Sequence, residues 1–263
     1  MLLSIKNKVV DSLKKQALFV CFFISFTPLL SQNNLVINGG FDSLTQCPSN
    51  VGDISKAYNW FQPIRNFSSS ELFNLCSGVS SLVSFPKNVV GYQQSIGGDG
   101  YAGIGVYFST YTNYREYIEA KLLSPLKADY TYCMEFYISL ADTVNFAVSS
   151  IGAYFSNDSI LIDNLPNNYL ISVIPQIQND SLTILSDKKN WTKISDDFVA
   201  LGGEQFLTIG NFYDDNITTK HIIQVSNNSN PPLISANSAY YYIENIIVYA
   251  CDSPLVEEPQ DTT

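Results

Sequence analysis

Histidine occurs once in the 263 residues, as His221, and Lys and Arg number 14 against 24 Asp and Glu. A single imidazole excludes any mechanism that needs two. The shortage of cations, with a net charge of −10, excludes nucleic acid and anionic headgroups as partners, because binding either rests on clustered Lys and Arg. Four of the basic residues (Lys6, Lys8, Lys14, Lys15) and one acid (Asp11) precede residue 32, so a mature chain starting there carries 10 basic and 23 acidic residues, a net of −13. No Gly-x-Ser-x-Gly elbow accompanies His221, which reads as an exposed strand residue. The Gly-Gly pairs at 39, 97 and 202 lack a following Lys and helix, so they read as turns and not phosphate cradles. Charged residues make up only 14% of the chain and hydrophobic ones 46%, which is enough apolar matter for a core and too little charge for a disordered polymer.

After a lysine-bearing start, Gln16 to Leu30 forms an apolar run of secretory length, shorter than the ~20 residues a spanning helix needs. Residues 1–31 read as a signal peptide cleaved after Ser31, with a retained anchor helix as the alternative. On the first reading no membrane span remains in the mature chain, and the protein is exported to the cell surface, periplasm or exterior. Cys21 lies inside the apolar run between Val20 and Phe22, where a lipobox would need a small residue and then a polar start. Four cysteines remain, Cys47, Cys76, Cys133 and Cys251, an even number in an exported chain and at a spacing that fits no zinc site. Of the three connectivities, Cys47 with Cys76 would staple an amino-terminal loop region and Cys133 with Cys251 would join two strands. In a chain-entropy account these loops would stabilise the fold by about 3.6 and about 4.9 kcal/mol at most.

No long helical periodicity follows residue 32. Runs of β-branched and aromatic residues broken by Gly, Asn, Asp and Pro predict strands over Leu35–Asp42, Val89–Gln93, Tyr101–Phe108, Arg115–Leu123, Tyr130–Leu140, Phe146–Phe155, Tyr169–Pro175, Trp191–Ala200, Gln205–Tyr213 and Tyr240–Tyr249. Alternation within Tyr130–Leu140 and Phe206–Tyr213 suits a sheet with one face inward. The class is all-β, an antiparallel β-sandwich in one domain over residues 32–251. Ser/Asn-rich Asn66–Ser84 and Ser226–Asn237 read as loops, and residues 252–263 as a disordered acidic tail or linker.

Several motifs are familiar as an ordered set. Asn34-Leu-Val-Ile-Asn-Gly-Gly-Phe-Asp42 resembles the first strand of jelly-roll carbohydrate-binding modules, and Ala239-Tyr-Tyr-Tyr-Ile-Glu-Asn-Ile-Ile-Val248 their closing strand. Trp191-Thr-Lys-Ile with Phe198-Val-Ala resembles the Trp-Thr strand of the same galactose-binding-like superfamily. More narrowly, Val90-Gly-Tyr-Gln-Gln, Gly100-Tyr-Ala-Gly-Ile104, Tyr114-Arg-Glu-Tyr-Ile118, Ile151-Gly-Ala-Tyr-Phe155 and Ile209-Gly-Asn-Phe-Tyr-Asp-Asp215 resemble the amino-terminal domain of exported Bacteroidetes cell-surface proteins, often found ahead of OmpA-like domains. The resemblance implies a jelly roll and, near the first and last strands, a structural calcium held by hard oxygens, with Asp42 and Glu244 at the matching places. Asn245 stands where an aspartate is common.

Sugar recognition needs flat apolar faces beside hydrogen-bonding groups. Outside the clear strand cores the candidates are Trp60, Phe61, Tyr107, Tyr111 and Tyr114, with Asn113, Arg115, Asp214 and Asp215 as polar partners. Taken singly, each aromatic reads as core or loop packing, and Trp191 reads as core. Glu116 and Glu119, three apart, face opposite sides of a strand and form no catalytic pair by spacing. These and the other acids read as solvated, with Glu135 as either a surface residue or a lone buried acid. The expected function is an exported, non-enzymatic module that binds carbohydrate or a cell-surface glycan or protein through edge loops. A structural adhesion or envelope module, and a glycoside hydrolase on the same scaffold, are the alternatives.

Overall fold

The computed structural model describes residues 33–64, 69–162, 169–223 and 237–252. The chain divides into Met1–Ser31 and Gln32–Thr263. The signal-peptide reading, all of Ser226–Asn237 but its last residue, and the tail beyond 252 lie outside the described residues.

Among the described residues fourteen strands follow in chain order: β1 (Trp60–Phe61), β2 (Glu71–Asn74), β3 (Lys87–Asn88), β4 (Gly91–Tyr92), β5 (Gly100–Phe108), β6 (Ile118–Lys121), β7 (Thr131–Leu140), β8 (Phe146–Val148), β9 (Gly152–Ser156), β10 (Ile177–Gln178), β11 (Thr192–Val199), β12 (Phe206–Gly210), β13 (Lys220–Ile222) and β14 (Ser238–Asp252). They form two five-stranded sheets, β1-β6-β12-β9-β10 and β11-β7-β14-β5-β2, and two small ribbons, β13-β8 and β3-β4. Every paired strand is antiparallel. The architecture is the expected antiparallel β-sandwich.

The alternation read from Tyr130–Leu140 is realised in β7, where Tyr132, Met134, Phe136 and Ile138 are buried and Thr131, Cys133, Glu135 and Tyr137 are half-exposed. These inward side chains meet Ala120, Leu207, Ile209, Ala153 and Phe155 of the opposite sheet in one hydrophobic cluster. β5 is different, being buried from Gly100 to Tyr107, because a second aromatic layer covers its outer face. There Phe73, Tyr101, Tyr240 and Tyr242 stack with ring centroids 4.8 to 6.5 Å apart. Both expected disulfides are formed, Cys47–Cys76 with Cα atoms 5.9 Å apart and Cys133–Cys251 with Cα atoms 5.6 Å apart, the latter joining the neighbours β7 and β14. His221 is exposed on β13 as expected.

Some elements differ from the sequence reading. Leu35–Asp42 makes one isolated bridge, Val36 with Leu122, and then turns. Asn38 and Phe41 take φ of 60° and 59°, and the Asn38 amide donates to the carbonyls of Ser43 and Tyr58, a local pattern that competes with a ladder. Gly39 is required there, since a Cβ would stand 2.1 Å from the Ile246 carbonyl oxygen. Phe146–Phe155 is two strands, β8 and β9, interrupted at Ser149–Ile151 and placed in different sheets. Tyr169–Pro175 forms no strand; its Ile171 joins Ile64, Tyr117 and Phe212 in a small second cluster. The Asn66–Ser84 stretch contains β2, which pairs with β5 from Glu71 to Asn74.

Candidate functional site

At the end of β5 the chain leaves the sheet, turns through Ser109–Tyr114 and returns towards β6. Asn113 takes φ 55° in this turn. Its backbone N–H donates to Asp215 Oδ2 at 2.8 Å while the Asp215 N–H donates to Asn113 Oδ1 at 2.9 Å, a reciprocal pair that locks the 109–114 turn to the loop after β12. Arg115 follows with no exposed surface. Its Nη2 donates to Asp215 Oδ1 at 2.7 Å and to the Tyr213 carbonyl at 2.9 Å, and its Nη1 donates to the Tyr114 carbonyl at 2.9 Å. Asp214 caps the next turn by accepting the Asn216 N–H at 2.8 Å and the Ile217 N–H at 3.1 Å. Lys220 reaches the Asp215 carbonyl at 2.7 Å and lies 5.1 Å from the Tyr107 ring centre.

Seven of the nine expected ligand residues (Tyr107, Tyr111, Asn113, Tyr114, Arg115, Asp214 and Asp215) therefore converge on one rim. Several do so as structure. Tyr107 is 7% exposed and stacks edge-on with Phe146, and the guanidinium of Arg115 is enclosed, so neither is available to a ligand. Tyr111 is 63% exposed. It leads a strip in which Tyr114 lies 6.0 Å away, with Phe108 and Tyr169 each 4.8 Å from Tyr114.

Trp60 and Phe61 lie elsewhere, on β1 at the edge of the other sheet. Trp60 is core: it is 2% exposed, lies 4.9 Å from Phe41, and donates its indole N–H to the Asn38 carbonyl at 2.9 Å. A two-residue strand holds it inward, paired with Ala120. Phe61 is half-buried and lines a groove of about 380 Å³ with Gln62, Ser159, Leu161 and Phe206, an aromatic-and-amide setting. Trp191, expected in the core, is only partly buried; it covers Tyr101 edge-on and donates to the Gln94 carbonyl at 2.7 Å.

Asp42 and Glu244 converge on the loop before β5. Glu244 Oε1 accepts the Ser95 hydroxyl at 2.7 Å, Oε2 accepts the Ile96 N–H at 2.8 Å, and Asp42 Oδ1 accepts the Asp99 N–H at 2.9 Å. Burial and, less strongly, the Asp42 charge push Glu244 above its ordinary value against these donors. Calcium takes about six to eight oxygens. Here the carboxylate oxygens face N–H and O–H donors, and among the described residues no group of three or more His, Cys, Asp or Glu gathers. As arranged, the two acids do not fit a calcium cage and clamp loop 95–99 instead.

Other acids depart from the solvated reading. Glu71 and Glu116 are 2% and 3% exposed and Glu119 is fully buried. Glu119 faces Thr208, whose hydroxyl it accepts at 2.9 Å, away from Glu116, so the two do lie on opposite sides. Burial raises all three, and the Glu116 charge raises Glu71 further. Glu71 went unnoticed in the sequence because it sits in a Ser/Asn-rich stretch; the Gly103-x-Gly105 spacing opposite it was the available signal. Glu135 is a surface residue, bonded to Lys193 at 2.8 Å.

A scan against family models and a search of curated proteins return no match. Among solved structures, the chain is similar to the CBM22-1 xylan-binding domain of Paenibacillus barcinonensis Xyn10C, at 10% identity over 84% of this chain and 97% of that one, TM-score 0.42. It is also similar to a cleaved adhesin domain of Lys-gingipain from Porphyromonas gingivalis, at 11% identity over 80% and 95%, TM-score 0.37. Among the described residues no helix is long and apolar enough to cross a membrane.

Proposed function

We propose that this chain is an exported, non-enzymatic carbohydrate-binding module of the cell surface, of the kind its motifs resemble in exported Bacteroidetes proteins, and that sugar stacks on the rim at Tyr111. The observation that carries this reading is the exposed Tyr111 ring at the head of the Tyr114–Tyr169 strip, beside a turn fixed by Asn113 and Asp215. A sugar platform needs a flat ring that holds its orientation without the ligand, and the reciprocal Asn113–Asp215 pair supplies that rigidity. Enclosure of Glu71 and Glu116 supports the non-enzymatic reading, since a glycosidase needs both carboxyls at the scissile bond.

A glycan array on the full chain tests it. Tyr111→Ala is expected to weaken binding about ten-fold, the loss of roughly 1.4 kcal/mol of ring contact, with an unchanged unfolding midpoint because the ring is outside the core. Phe61→Ala is the comparator: loss there and not at Tyr111 moves the ligand to the Phe61–Phe206 groove. No binding to any glycan leaves the structural adhesion or envelope module as the reading.

A further inference from the structure

Gly103 and Gly105 put no side chain on one face of β5, and aromatic rings with the Tyr240 hydroxyl and the Glu116 carboxylate fill the space. A Cβ on Gly103 would stand 2.1 Å from the Tyr240 hydroxyl, and one on Gly105 would stand 2.2 Å from the Phe108 ring and 3.2 Å from Glu116 Oε2. Glu71 lies directly across from Gly103 in the β2–β5 register and accepts the Tyr240 hydroxyl. Glu116 Oε2 accepts the Gly105 N–H at 2.6 Å, and Oε1 accepts the Ser69 hydroxyl at 2.7 Å. The titratable groups acting on the pair are Tyr114 from the rim turn, Tyr240 and Tyr242 from β14, and, through Tyr114, Tyr169. None of these is a cation. Arg115 turns the other way onto Asp215, and among the described residues no ion pair reaches either glutamate.

Two enclosed carboxylates that feel each other and have no cation do not both ionise near neutrality. We infer that Glu71 and Glu116 hold one proton between them at neutral pH and that this proton fixes Tyr114 and the rim above it. The donors decide where it sits. Glu116 receives hydrogen bonds from Gly105, Ser69 and Tyr114, all of which favour its charge. Glu71 receives one side-chain donor, Tyr240, and its own backbone N–H, so the proton resides on Glu71. When it leaves, repulsion must be relieved by movement. Glu71 is held in the β2–β5 ladder, whereas residues 114–117 belong to no strand, so the segment bearing Tyr114 yields. The shared proton acts on the rim whatever the rim binds.

Glutamate in the unfolded chain titrates near about pH 4.3, and burial raises both of these in the folded chain. Between the two values the folded state binds more protons, so stability is fully present below the unfolded value and is lost as pH rises through the folded one. Glu119 and Glu244 share this sign, so the pair is isolated by a difference between proteins.

The experiment is thermal unfolding of the full chain from about pH 5 to about pH 9, with amide hydrogen exchange at residues 113–117, for wild type and Glu71→Gln, the neutral isostere. The expected result is a steeper fall of the wild-type midpoint with pH, faster exchange at 113–117 at the alkaline end, and a Glu71→Gln protein that overtakes wild type there. Equal pH slopes in the two proteins would overturn the inference. Should Glu71→Gln fail to fold, carboxyl ¹³C titration of the wild-type chain decides: one of the Glu71–Glu116 pair titrating above neutrality sustains it, and both titrating below neutrality overturns it.

Discussion

Arg115 and Glu116 are adjacent in the chain, 0% and 3% exposed, and point to opposite sides of one segment. On the arginine side an acid comes to meet the charge: Asp215 binds the guanidinium at 2.7 Å while two backbone carbonyls take further N–H groups. On the glutamate side the partner is another acid, Glu71, and the charge is met by N–H and O–H dipoles and by a shared proton. A buried charge can thus be compensated by a counter-ion, which works at any ordinary pH, or by a proton, which works only below the pair's titration. The rim is anchored by one device of each kind.

The largest expected effect comes from breaking the counter-ion side. Arg115→Met removes the cation and its donors to the Tyr213 and Tyr114 carbonyls, and leaves the Asp215 carboxylate with the Asn113 N–H in place of an ion pair; loss of one member of a buried pair costs about 3–5 kcal/mol. Chemical denaturation is expected to show a loss near the lower bound, since Asp215 keeps 23% side-chain exposure. Little or no loss would mean that the ion pair does not anchor the turn.

Next comes an asymmetry within the proton side. Glu116→Gln places an amide NH₂ among donors, against either the Gly105 N–H or the Ser69 hydroxyl, and is expected to cost about 1–3 kcal/mol near neutrality. Glu71→Gln mimics the protonated acid and is expected to be neutral at low pH and stabilising at high pH. If the two variants behave alike, the donor argument that places the proton on Glu71 is wrong.

Glu244 offers a third case, a buried acid compensated by the N–H groups of Ile96 and Gly97 and the Ser95 hydroxyl. Glu244→Ala is expected to cost about 1–2 kcal/mol by stranding those donors and to release loop 95–99 to faster exchange. Added calcium is expected to leave the wild-type midpoint unchanged; a rise would restore the cage that the motifs implied. At the acid end Asp187 carries the opposite sign. The N–H groups of Asn190 and Lys189 hold it below the ordinary carboxylate value, so its contribution is present above the unfolded value and is lost as pH falls through the folded one.

How far the sequence could be read differs along the chain for physical reasons. Period-two alternation exposed β7 because that strand has one wet and one dry face. It could not mark β5 as doubly covered, since the aromatic layer on its outer face comes from Phe73 of β2 and from Tyr240 and Tyr242 of β14, distant in sequence. The rim was legible because Tyr107 to Arg115 are contiguous and Asp214–Asp215 follow a strand, yet spacing could not tell an exposed Tyr111 from an enclosed Arg115. Spacing could not choose between core and ligand roles for Trp60, because a two-residue strand carries no alternation. The disulfides were legible because four export-compatible cysteines leave only three pairings.

The smallest expected effect is on the surface, where Lys193 and Glu135 form an ion pair across the diagonal between β11 and β7 at 2.8 Å. Their separation matches that of Arg115 and Asp215 to within about 0.1 Å, so distance alone would rank the two pairs equal. Exposure separates them: the Lys193 side chain is 48% exposed and that of Arg115 is 0%. Water and salt screen the first pair, and holding two long side chains together offsets what attraction remains. Lys193→Ala is therefore expected to leave the unfolding midpoint within error at physiological salt and to shift it only at low salt. A loss comparable to that of Arg115→Met would show that contact distance, and not desolvation, ranks the charged pairs of this fold.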